Sequence, residues 1–178
     1  MSDIVKVIEE KNWITKRKQE NELNKVLSAQ PPKLWIKKKD GIPYLPIDKV
    51  EYMLTKLFVD WFPEVREVQL MVNSAVVTVR LWYRSPLDGQ LKYSDGVGAA
   101  PIHTSKGSAA GDMMNLQAYS VQKAVPSAKS FAIKDAAECI GRIFGSDLNR
   151  KDTMNDYKLE SDENDRLSQI INDGTSDS

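Results

Sequence analysis

The chain has 178 residues, 28% of them charged and 41% apolar, proportions that suit one folded domain with tails and exclude a fibrous repeat or wholesale disorder. No apolar run approaches the roughly 18 residues that a membrane span needs, and Met1-Ser2-Asp3-Ile4-Val5-Lys6 lacks a signal peptide's basic start and apolar stretch, so a cytoplasmic protein without membrane association is expected. The formal net charge of zero hides a segregation of sign. Residues 152–178 carry eight acids against Lys158 and Arg166, a net of −6, which leaves residues 1–151 with 23 basic and 17 acidic groups, a net of +6. A basic body with an acidic tail fits a nucleic-acid binder whose tail competes with phosphate or recruits a basic partner. The same composition also fits a merely solvating tail.

In chain order, residues 1–11 read as an N-terminal extension, 12–150 as the domain and 151–178 as an acidic, weakly ordered tail with a short helix over 163–171. Residues 12–28 have helical character, with Trp13, Leu23, Val26 and Leu27 as the apolar positions and Pro31-Pro32 as the stop. Leu34 to Lys39 and Ile42 to Leu45 are short strands about Asp40-Gly41, a strong two-residue turn signal, which makes a basic hairpin. After Pro46, the run Ile47, Val50, Met53, Leu54, Leu57, Phe58 and Trp61 has the spacing of an amphipathic helix of about four turns.

From Val65 the period becomes two: Val68, Leu70 and Val72, then Val77, Val79, Leu81 and Tyr83, with turns at Asn73-Ser74 and at Pro86 to Gly89. A three-stranded antiparallel meander is expected, then a small, polar, irregular stretch over 99–123. Ser127 to Phe144 is the last strong helix, stopped by Gly145, with Ala128, Ala132, Ile133, Ala136, Cys139, Ile140 and Ile143 on its apolar face. Cys139, the one cysteine, reads there as a buried small hydrophobe. The expected class is α+β: a short basic hairpin, an amphipathic helix, and a three-stranded meander packed by a long C-terminal helix.

Catalytic residue types are sparse. His103 is the one histidine, so a triad would have to run through a loop residue with no evident partner, and His/Cys metal sites lack the numbers. A carboxylate cluster for magnesium stays open. Gly107-Ser108-Ala109-Ala110-Gly111 lacks the Lys and Ser/Thr of a phosphate loop. Asp95-Gly96-Val97-Gly98 has no following helix with a third glycine, so the glycines read as serving a strand end and not a dinucleotide fingerprint. No enzymatic activity and no cofactor are expected.

Lys37, Lys38 and Lys39 lie between Trp35 and Tyr44, which combines phosphate-neutralising charge with rings on which bases stack. A solvated hairpin whose Trp35 belongs to the core fits the same residues. Lys134, Glu138 and Arg142, at i, i+4 and i+8, form a polar stripe on the last helix, by default a salt-bridged surface.

Three stretches resemble the ring-forming N-terminal domain of the Rad fifty-two family of single-strand annealing proteins, over about Leu27 to Leu148. They are Pro32 to Lys39 with Tyr44 and the helix 47–60; the meander through Leu87-Asp88-Gly89 to Asp95-Gly96-Val97-Gly98; and the helix ending Arg142-Ile143-Phe144-Gly145. The last is the most specific, similar to the family's signature helix at Ala128, Ala132, Ile133, Asp135, Ala136, Arg142, Phe144 and Gly145. The resemblance implies ATP-independent binding and annealing of single-stranded DNA in recombination and repair, by a homo-oligomeric ring or filament, in a phage or prokaryotic protein. It implies DNA contacts at Lys39, Tyr44 and Arg142, and Lys37, Lys38 and Lys134 are the further candidate contacts read from the residues themselves. The chain departs from the family at Glu138 and Cys139, where a Lys-Arg pair is usual, so either the groove is less basic or Lys134 and the lysine triplet compensate. The acidic tail is a candidate docking point for a single-strand-binding protein or an exonuclease. The competing expectations are a single-strand-binding or loading module without annealing activity, and a metal-dependent nuclease.

Overall fold

The computed structural model describes residues 3–109 and 112–150, with side chains from residue 12 onward except that of Met113. The chain divides into two units, residues 1–148 and 149–178, and of the second only Asn149 and Arg150 are described, so the expected helix at 163–171 lies outside the described residues. The first unit is α+β. Helix α1 (Asp3–Ser28) is followed by a hairpin of β1 (Lys37–Lys39) and β2 (Ile42–Tyr44), helix α2 (Ile47–Leu57), strands β3 (Trp61–Met71), β4 (Ser74–Arg84) and β5 (Leu91–Pro101), and helix α3 (Ser120–Glu138). The three long strands form one antiparallel sheet in the order β3-β4-β5.

Local chemistry accounts for most of these elements. Asp40 and Gly41 both take positive φ, 52° and 82°, the left-handed pair that a type I′ turn requires, so Lys39 pairs directly with Ile42. Val50, Met53 and Leu54 form the buried face of α2, and Asp48 sits favourably in its first turn. On β4, Ala75, Val77, Val79 and Leu81 are buried and the residues between them half-buried, the alternation of a strand with one covered face. The covering element is α3, which lies mainly over β4 and β5.

Small residues make that contact close. A Cβ at Gly98 would come within 2.1 Å of the Ala128 carbonyl oxygen, and one at Gly96 within 2.3 Å of that of Ala132. The two glycines therefore lie within β5 and serve helix packing, where a strand-end role was expected. Ala128, Ala132 and Ala136 are fully buried against them. One core cluster joins Val77, Val79, Ala100 and Ile102 to α3; a second joins Leu45, Val50, Leu54, Phe58 and Leu81 to Ala136, Ala137 and Phe144.

The structure moves several expected boundaries. Helix α1 begins at Asp3 and so takes in residues assigned to an extension. Helix α2 ends at Leu57, three turns and not four: Phe58 turns to extended backbone, and Trp61 opens β3, its indole N–H donating to Thr55 Oγ1 at 3.0 Å. The tight turn after β3 is Val72-Asn73, one residue earlier than expected, with Val72 at φ 48°.

Helix α3 starts at Ser120 and carries Pro126 inside it, because the first turns bury Ser120 and Ala124 and the proline sits on an exposed position. It stops at Glu138, six residues before the expected end. Gly141 lies so close to α1 that a Cβ would be 2.7 Å from the Leu27 carbonyl oxygen; the chain then makes a 3-10 turn, Arg142–Phe144, that buries Phe144 and ends on Gly145 at φ 105°. Cys139, the residue that caps the helix, is exposed, where a buried place on the apolar face was expected.

Candidate nucleic-acid interface

The base of the β1–β2 hairpin is held by Leu45, which is buried directly after Tyr44 and anchors the chain in the α2 core cluster. Lys37 pairs with Tyr44 across the hairpin and Lys39 with Ile42, so these side chains share one face. Lys38 pairs with Pro43 and, by strand alternation, points to the other. The lysine triplet therefore cannot act as one patch. Two of its members stand beside Tyr44 and one is turned away.

Lys134 reaches this face from α3. Its ammonium sits 5.1 Å from the centre of the Tyr44 ring and 5.5 Å from that of Phe131, within cation–π range of both. Burial pushes the Lys134 pKa down from the ordinary lysine value, and the Glu138 carboxylate, one turn on, partly pulls it back. An ammonium held among rings at partial burial is short of hydration and gains from a phosphate brought to it. Phe131, 45% exposed, was not singled out from the sequence, although its i, i+3 spacing to Lys134 is the signal that would have found it.

Arg142 stands differently from its expected place. The helix ends before it, so it is not the third member of a stripe with Lys134 and Glu138. Its largely buried guanidinium pairs with the Asp147 carboxylate within the turn that follows α3. Trp35, in a 3-10 turn (Lys33–Trp35) and not in the strand, packs its half-buried ring on the α2 core cluster.

The two edges of the sheet also differ. At the β5 edge the Val97 N–H donates to Asp135 Oδ2 of α3 at 2.9 Å, which blocks that position for a further strand. The β3 edge has no strand partner among the described residues. On its helix-ward side Val65, Val68 and Leu70 are 45%, 49% and 54% exposed, because α3 lies over the other two strands. Among the described residues no three His, Cys, Asp or Glu side chains are grouped to hold a metal ion, and no helix is long and apolar enough to cross a membrane. Compared with protein-family profiles and with characterised proteins, the chain matches none of them significantly.

Proposed function

We propose that this protein binds single-stranded DNA at the base of the β1–β2 hairpin and anneals complementary strands without ATP, working as a homo-oligomer in recombination and repair. The observation that carries the reading is Lys134, some ninety residues further along the chain, set over the ring of Tyr44, whose hairpin face also carries Lys37 and Lys39. Lysines set beside a ring suit a backbone phosphate and a stacked base together, and such contacts are tolerant of sequence. Single sites of this kind are weak. Repeated around an assembly they add up to a tight, salt-sensitive track, and base pairing supplies the free energy of annealing. The β3 edge, without a strand partner among the described residues and with Val65, Val68 and Leu70 beside it, is the surface that a second copy would cover.

The test is annealing of complementary labelled oligonucleotides, without ATP or magnesium, followed by fluorescence. Faster pairing with the protein than without, reduced in Lys39→Ala, is expected. Binding without acceleration would leave a single-strand-binding or loading module, and absence of binding would remove the reading altogether.

A further inference from the structure

A second group of lysines and rings lies on the outward side of α2. At 100° per residue, Lys49, Tyr52 and Lys56 fall within about 60° of arc, with Glu51 roughly 100° further round. The core face of the same helix, Val50, Met53 and Leu54, is on the other side. Against this flank packs Trp35: its ring meets that of Tyr52 edge-on, with centres 5.7 Å apart at 87°. The Lys49 ammonium lies 5.7 Å from the Trp35 ring centre and the Lys56 ammonium 5.6 Å from that of Tyr52.

Trp35 also packs on the α2 core cluster, but that packing does not account for Tyr52. Tyr52 is 51% exposed, and Leu34, next to Trp35, is 97% exposed. Surface cation–π pairs contribute only about 0.5–1 kcal/mol each, too little to explain the Tyr52 ring left half in water. Asp48 pairs with Lys49 at 3.2 Å, both at the exposed surface, where such a pair is readily exchanged for a phosphate.

We propose that this Lys49–Trp35–Tyr52–Lys56 cluster carries a further stretch of the same single strand, a base stacking on Tyr52 while Lys49 and Lys56 meet the phosphates beside it. This rests on the hairpin reading above. Trp35 is two residues before Lys37, whose partner across the hairpin is Tyr44, so the two aromatic groups are joined by a backbone path of roughly 12 Å, a few nucleotides of strand. The two cation-flanked groups are thus close along the chain at the hairpin base.

The experiment is fluorescence anisotropy of the full chain with labelled oligo(dT) of twenty nucleotides, titrated at several salt concentrations. Lys49→Gln/Lys56→Gln is expected to lower the slope of log affinity against log salt by about 1.4, two phosphates at about 0.7 each for a single strand. Tyr52→Leu should weaken binding roughly 5- to 100-fold, while Tyr52→Phe, which keeps the ring and its packing, should bind as the parent does. Unchanged slope and affinity in these variants, alongside weakened binding in Lys39→Ala, would overturn this proposal and leave the hairpin site standing. Equal loss in Tyr52→Phe and Tyr52→Leu would overturn the stacking role. A parent protein that does not bind oligo(dT) would overturn both sites.

Discussion

Lys134 illustrates how the meaning of a residue depends on what meets it. On a helical wheel it is one cation of a salt-bridged stripe; in the fold it is an ammonium lodged between Tyr44 and Phe131, its charge disfavoured by burial. Replacing it by alanine should weaken single-strand binding about tenfold and lower the salt slope by about 0.7, one phosphate, in anisotropy titrations. The fold should tolerate this change. Arg142 is expected to behave in the opposite way. Arg142→Ala leaves the Asp147 carboxylate without that ion pair in a largely buried turn, which should cost about 2 kcal/mol in chemical denaturation. At saturating native protein its loss of DNA affinity should be the smaller of the two.

At the scale of elements, the contact between α3 and β5 depends on the absence of side chains. In Gly98→Ala the new methyl would press on the Ala128 carbonyl and the Ala132 amide, backbone groups that move only if the whole helix does. A loss of about 3 kcal/mol or more is expected in thermal or urea melts, with Ala99→Ser, on the exposed alternate position, as the neutral comparison.

The other face of the sheet is held by polar rows. Arg80 donates to both carboxylate oxygens of Asp95, at 2.7 and 2.8 Å, and the Trp82 indole donates to Glu64 at 2.8 Å. The hydrogen bonds from Arg80 hold Asp95 below its ordinary 3.8, and those from Trp82 and then Arg66 hold Glu64 below its ordinary 4.5. Both pKa values are depressed in the fold, so the stabilisation is full above about pH 4.5 and is lost as pH falls through the lower folded-state values. Asp95→Asn/Glu64→Gln should therefore lower stability at neutral pH and flatten the acid limb of a stability–pH curve measured by denaturant melts.

For the whole molecule, the asymmetry of the sheet bears on how copies would meet in the proposed assembly. The β5 edge is occupied at Val97 by Asp135, whereas β3 presents an apolar stripe and an edge with no strand partner among the described residues. Val68→Lys/Leu70→Lys places two charges on that stripe without touching a buried residue, so the fold should survive while the proposed assembly does not. Sedimentation should show smaller species than the parent, and annealing should fall more steeply than binding of a short oligonucleotide. Assembly that is unchanged in this variant would remove β3 from the interface.

Much of this was determined by the sequence itself, where local rules suffice. The Asp40-Gly41 turn follows from two residues that accept left-handed backbone, α2 from the spacing of Val50, Met53 and Leu54, and the meander from the alternation along β4. These are short-range effects, and periodicity carries them. What only the tertiary structure decided concerns surfaces that meet from distant parts of the chain. Packing of its first turns kept α3 helical through Pro126, and the close approach of α1 to Gly141 ended the helical region early, taking Arg142 off the stripe. The site follows the same division. Lysines and rings near residues 35–44 were legible as types, but strand alternation turned Lys38 away, and only the docking of α3 beside the hairpin set Lys134 on Tyr44.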